Sequence, residues 1–164
     1  MSNDKLVQDA SVPASEQPTR QSALYDRVAE QTASMIIREY STSFGMAARL
    51  LGAGVRQDVE NIYGLVRLAD EIVDGVAAYA GVSEKEIRRL LDELETETEA
   101  AMLRGYSTNL VVHAFALTAR RTGITPELTR PFFTSMRVDI TRVTHTPESF
   151  DEYVYGSAEV VGLM

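Results

Sequence analysis

Asp70 and Asp74 stand four positions apart, with Arg67 one turn and Tyr63 two turns ahead of Asp70 in a stretch that reads as helix. Carboxylates at i and i+4 can share a hard divalent cation. Magnesium would keep some of its waters and take phosphate oxygens as further ligands. An arginine on the same stripe adds a planar donor fork suited to phosphate. Together these residue types suit the capture of a phosphorylated ligand through a metal ion. At about 100° per residue from Asp70, Tyr63 lies near 20°, Asp74 near 40° and Arg67 near 60°. Val55, Val59, Ile62, Val66, Ala69 and Val73 fall roughly between −100° and −20°, an apolar face along the border of that stripe. The reactive groups therefore sit at the edge of a core. The residues alone also allow Asp70, Glu71 and Asp74 to be a solvated helix face.

Punctuation along the chain separates helical segments: Gly52 and Gly54, then Gly75, Gly81, Gly105, Gly123, Pro126 and Pro147. Ser83-Glu84-Lys85-Glu86 reads as a capping box. Thr125-Pro126 and Thr146-Pro147 read as N-cap and N1 proline pairs. Helices are expected near 22–39, 42–51, 55–78, 84–104, 109–122, 126–143 and 148–164, with no period-two strand pattern to compete. Residues 1–20, rich in polar residues and carrying two prolines, are expected to be a disordered leader, and 21–164 one all-α domain without internal repeats.

The 164 residues are 45% hydrophobic, enough for one sizeable core. A net charge of −8 with scattered basic residues argues against nucleic acid as a partner. An anionic ligand would then need local help from a metal ion or clustered donors. The absence of cysteine excludes disulfides and thiol chemistry. No apolar run approaches the length of a membrane span or a signal core, so a cytoplasmic protein is expected, with contact at a membrane surface left open. The acidic run from Asp92 to Glu99 lacks an apolar border and reads as a solvated face. His113 reads as a packed or surface histidine, not a ligand.

Tyr40-Ser41-Thr42-Ser43-Phe44, then Tyr63, Arg67 and Asp70-Glu71-Ile72-Val73-Asp74, resemble the start of the squalene and phytoene synthase family. Asn109 to Phe115, Met136 to Ile140 and Tyr153 to Met164 follow in the family's order and approximate spacing. The resemblance runs from about residue 35 to the end. It implies an all-α isoprenoid synthase bundle with a deep cavity, and head-to-head joining of two prenyl diphosphates. The expected product is phytoene from geranylgeranyl diphosphate, in carotenoid biosynthesis. Squalene or dehydrosqualene made from farnesyl diphosphate is the alternative.

By the same resemblance, Asp70 and Asp74 hold Mg²⁺, with Mn²⁺ as an alternative ion. Ser41, Ser43, Tyr63 and Arg67 contact diphosphate, and ordinary capping remains open for the serines. Tyr153 is placed near the reacting carbons, ahead of Tyr155. Ser157 and Val161 are expected to bind substrate. Tyr153, Ser157, Val160 and Met164 recur at helical spacing and could line a prenyl channel or simply pack against a neighbouring helix. Asp139 falls at a recurrent family position near the cavity, where a structural hydrogen bond is an equal alternative.

The chain departs from the family in three respects. No second aspartate-rich motif follows the tyrosine and glycine segment, so a fragment is expected whose missing C-terminal half, or another chain, completes the site. Thr42 stands where many relatives carry a basic residue. Glu159 replaces a common glycine and is expected to point away from the channel. Two other classes compete: a non-catalytic helical remnant or binding module, and a helical protein that binds partners through its acidic face.

Overall fold

The computed structural model describes residues 20–41, 46, 48, 50–141, 151 and 153–164. Among them there is no strand, and the architecture is all-α, as expected. The long helices are α1 (Arg20–Tyr40), α2 (Ala53–Val73), α4 (Glu84–Arg104), α5 (Leu110–Thr122) and α6 (Pro126–Thr141). A short α3 (Val76–Tyr79) follows α2, and the chain closes with a π-helical turn (Tyr155–Glu159) leading into α7 (Val160–Leu163). Ser43, Thr146-Pro147, the leader up to residue 19 and parts of the expected 42–51 and 148–164 helices lie outside the described residues. No helix among the described residues is long and apolar enough to cross a membrane.

Local chemistry sets the helix ends. Ser83 caps α4 by accepting the Glu86 N–H at 3.3 Å. Gly105 ends that helix with φ 77°, a left-handed conformation that glycine adopts without a Cβ penalty. Asn109 starts α5 by accepting the Val111 and Val112 N–H groups at 3.0 and 3.3 Å.

Two expected helices are broken. The single helix expected over 55–78 ends at Val73, and Asp74 leaves helical geometry with φ −128° and ψ 2°. The cause lies in Glu71, whose carboxylate folds over the break and accepts the Val76 N–H at 3.0 Å. At Gly75 a Cβ would lie 2.7 Å from the Glu71 Cα and would also displace the Glu71 carboxylate, so glycine is favoured there. The last helix passes through a π-helical turn, in which the Val160 N–H reaches back five residues to the Tyr155 carbonyl. Here the Tyr153 carbonyl accepts the hydroxyls of Ser157 at 2.8 Å and Ser135 at 3.2 Å. Gly156 lies hard against α6, where a Cβ would come within 2.4 Å of the Pro131 carbonyl.

Phe115, Phe132, Phe133, Leu65, Leu91 and Val112 fill the centre between α2, α4, α5 and α6. Small residues bring α1 close. Ala29, Ala33 and Ala114 form their own buried cluster, and Gly64 lies where a Cβ would meet Ala33 and Val111 at 3.4 Å. A polar chain fixes the register of α2 and α5. Gln57 donates to Asn61 at 2.9 Å, Asn61 to Thr118 at 3.0 Å and Thr118 to Asp58 at 2.9 Å, while Arg121 clamps Asp58. His113 is buried and packed, as expected. Its Nδ1 accepts the Ser107 N–H at 3.3 Å, so Nε2 carries the ring proton and donates it to Asp26 at 2.8 Å.

Candidate functional site

The C-terminal end of α2 carries the reactive groups, and Tyr40 of α1, α6 and Tyr153 adjoin it. Asp70 is half-buried where α2 meets α6. Burial is the main force lifting its carboxyl from 3.8 to about 6; Arg67 pulls the other way, while Asp139, Glu71 and Asp74 add repulsion. Negative charge therefore exceeds positive charge around a partly dry position. Asp139 on α6 accepts the Tyr153 hydroxyl at 3.2 Å. Burial, then Asp139, push that phenol above its ordinary value. The structure thus joins Asp70 on α2, Asp139 on α6 and Tyr153, just ahead of the π-helical turn, into one cluster.

Arg67 is held from two sides. Its terminal nitrogen pairs with Glu71, and its guanidinium lies over the Tyr40 ring at 4.3 Å. Its Nε is buried with no hydrogen-bond partner among the described residues, which leaves a donor that an anion could use. Glu71 is committed to the Val76 N–H and to Arg67, which in that order hold its carboxyl below the usual carboxylate range. That commitment separates Glu71 from its neighbours. Asp70 and Asp74 are the carboxylates of this stretch not tied down in that way.

Asp74 sits in the turn after α2 and is exposed, so the wheel position expected for it on a continuous helix does not apply. Tyr63 is half-buried one turn before Arg67, whose charge it helps to favour. Ser41 directly follows Tyr40 at the end of α1, so the stacking of Tyr40 on Arg67 brings it to the same end of the bundle. Ser157 spends its hydroxyl proton on the Tyr153 carbonyl, and Val161 is packed against the core. On the expected channel face, Val160 is fully buried and Met164 packs on the same core. Tyr155 and Glu159 are exposed. Sequence reasoning left Tyr40 out of the site and gave Glu71 no separate part; an aromatic residue next to the serine segment was the one signal for Tyr40.

The group fits a divalent cation on its own chemistry, since added positive charge would relieve the repulsion around Asp70 and let it ionise fully. Among the described residues no group of three or more His, Asp or Glu could hold a metal by itself. An ion bound here would rest on two carboxylates and draw its other ligands from water and phosphate oxygens.

Comparison with known proteins shows the family. The sequence profile described as squalene/phytoene synthase matches residues 37–164. A phytoene synthase from Pseudescherichia vulneris is 32% identical over 129 residues, covering 76% of this chain and 41% of that protein. A 15-cis-phytoene synthase from Paracoccus sp. (strain N81106 / MBIC 01143) is 29% identical over 137 residues, covering 81% of this chain and 44% of that protein. The chain thus spans less than half the length of these curated relatives.

Proposed function

The chain belongs to the squalene/phytoene synthase family, and from that premise we propose that it forms one wall of an active centre that joins two prenyl diphosphates head to head. The supporting observation is the pairing at the end of α2 of a carboxylate in surplus negative charge, Asp70, with an arginine that keeps a buried donor unused. In this reading Asp70 and Asp74 hold magnesium, and Arg67, Tyr63, Ser41 and Ser43 contact the diphosphate. Bound there, the ion supplies Lewis-acid neutralisation of the diphosphate as it leaves the allylic carbon.

The chain's own groups do the remaining work. Arg67, stacked on Tyr40 and tied to Glu71, presents its guanidinium in a fixed orientation, so little reorganisation is needed when the anion arrives. Tyr153, anchored by Asp139, presents a phenol with its proton retained beside the diphosphate end of the site. Val160, Met164 and the phenylalanines behind them exclude water, which would quench a carbocation. The names of the two relatives favour phytoene as product over a farnesyl-based product, and in this reading the substrate is geranylgeranyl diphosphate. Because the matched stretch covers only 41% and 44% of the two relatives, the opposing wall is assigned to further polypeptide that completes the site.

The test is calorimetric titration with a non-hydrolysable prenyl diphosphate, with and without magnesium. Binding that needs magnesium and disappears in Asp70→Ala and in Asp74→Ala is the expected result. Binding that persists undiminished in the double variant would remove the metal role.

A further inference from the structure

A polar cavity of about 380 Å³ opens between α1 and α2, away from the cluster at Asp70. Ser34, Ile37 and Arg38 form its α1 wall, and Arg56, Gln57 and Glu60 its α2 wall. Each set of three spans about 100° of its helix, so two coherent faces meet. The helices run in the same direction here: Ser34 of α1 meets Glu60 of α2, and Tyr40 meets Arg67. Arg56 and Arg67, eleven positions apart on one face of α2, therefore look onto the same groove about 16 Å from each other.

Backbone carbonyls orient both arginines of the cavity. Arg38 Nε donates to the Ser34 carbonyl at 3.0 Å, and Arg56 donates to the Leu51 carbonyl at 3.2 Å. A guanidinium carries five donors, so such a tether fixes its direction without exhausting it. The other polar groups are turned toward one another. Ser34 gives its hydroxyl proton to Glu60, and the Gln57 amide donates to Asn61 at 2.9 Å and to the Glu30 carbonyl at 3.3 Å. Two cations thus face one carboxylate, which a hydroxyl already shares. The first turn of α2 borders the cavity at Ala53, and its amide dipoles add to the positive side.

A cavity of net positive charge is unexpected in a chain of net charge −8. Arginines that tie helices together in this fold pair with carboxylates across the interface, as Arg121 does with Asp58 and Arg137 with Asp92 and Glu95. Arg38 makes no such pair among the described residues. Room, sign and donor geometry select the occupant. Sites for small ligands start at about 300 Å³, and guanidinium forks match the oxygens of a phosphoryl group. Ile37 is the one large apolar side chain in the walls, too little to hold a hydrophobic ligand.

We propose that the groove between α1 and α2 binds a small phosphate or diphosphate anion through Arg38 and Arg56, at a site separate from the one at the end of α2. Asp70, Asp74 and Arg67 take no part in it, so loss of the synthase reading would leave this site untouched.

The test is NMR titration of the isotope-labelled full chain with sodium diphosphate and, separately, with sodium phosphate, without divalent metal and at constant ionic strength. The backbone amides of Gly54 and Val55 and the Nε–H signals of Arg38 and Arg56 are expected to shift together on saturable curves. Arg38→Gln with Arg56→Gln should weaken binding roughly tenfold or more, since a charge-assisted hydrogen bond is lost from each wall. Glu60→Gln, which removes the one opposing charge and keeps an acceptor for Ser34, should tighten it. Arg67→Gln should leave these shifts in place. Diphosphate saturating the signals at lower concentration assigns the site to diphosphate, and the reverse order assigns it to phosphate. Circular dichroism of each variant checks folding, and Glu60→Gln carries the test by itself should the arginine pair unfold. Shifts confined to Arg67 and Tyr63, no shift with either anion, or an arginine pair that binds like the parent would overturn the proposal. So would equal shifts with sodium chloride at matched ionic strength, which would mark screening of exposed charge.

Discussion

The two ends of α2 carry similar residues and opposite electrostatics. Near its start, Asp58 is clamped by Arg121 and accepts the Thr118 hydroxyl, and Asn61, fully buried, is satisfied by Thr118 and Gln57. Burial pushes the nearby Glu30 carboxyl up, and Arg121 offsets part of that push. Near its end, Asp70 faces Asp139, Glu71 and Asp74, and Arg67 answers only part of their charge. Buried polar groups that saturate one another fix helix register. Like charges left facing one another in a half-buried site need something from outside. The comparison separates a structural network from a binding site without appeal to fold.

The largest effect should come from breaking the closed end. Asn61→Leu strands the partners of a fully buried amide and is expected to cost about 2–3 kcal/mol in urea unfolding, with magnesium-dependent binding retained in the folded fraction. A stability change under about 0.5 kcal/mol would show that this end is not the register lock described. Next comes Gly156→Ala, whose Cβ would lie 2.1 Å from Ser135 Oγ and 2.4 Å from the Pro131 carbonyl. The π-helical turn must shift away from α6, at a cost of about 1–3 kcal/mol. Thermal melting alongside Gly162→Ala, which has open space at its Cβ, is the check.

A smaller effect of opposite sign is expected at the open end. The folded Asp70 carboxyl holds its proton up to about 6, against 3.8 in the unfolded chain, so the folded state binds the extra proton in between. Its contribution to stability therefore declines as pH rises from about 4 to about 6 and stays unfavourable above. Without metal, Asp70→Asn should melt above the parent at pH 7 and together with it below about pH 4. Melting below the parent at pH 7 would mean that Asp70 is already satisfied. The smallest effect is at Tyr40→Leu, which removes the ring beneath Arg67 and should weaken diphosphate binding by roughly two- to fivefold, in line with about 0.5–1 kcal/mol for an exposed cation–π contact.

Much of this difference could be read from residue types. Ser83, Gly105, Asn109 and Gly123 announce their helix ends because capping acts within a few residues, and the bounds of α4 and α5 follow. Tyr63, Arg67 and Asp70 could be aligned because a regular helix repeats. The break after Val73 could not be seen that way, since it depends on where the Glu71 side chain folds, and it moved Asp74 off the stripe. The π-helical turn was equally hidden, because its cause is Ser135 and Pro131, some twenty residues earlier on α6. The partnership of Asp139 with Tyr153 likewise spans two elements. What packing decides, local pattern does not record.

The most direct measurement is the magnesium-dependent affinity for a non-hydrolysable prenyl diphosphate at pH 5 and pH 7.5, in the parent and in Asp70→Asn. With the Asp70 carboxyl at about 6, protons compete with the ion at the lower pH. Affinity in the parent should then fall about tenfold from pH 7.5 to pH 5, while Asp70→Asn should bind weakly at both. Equal affinity of parent and variant, or a parent indifferent to magnesium, would contradict the account.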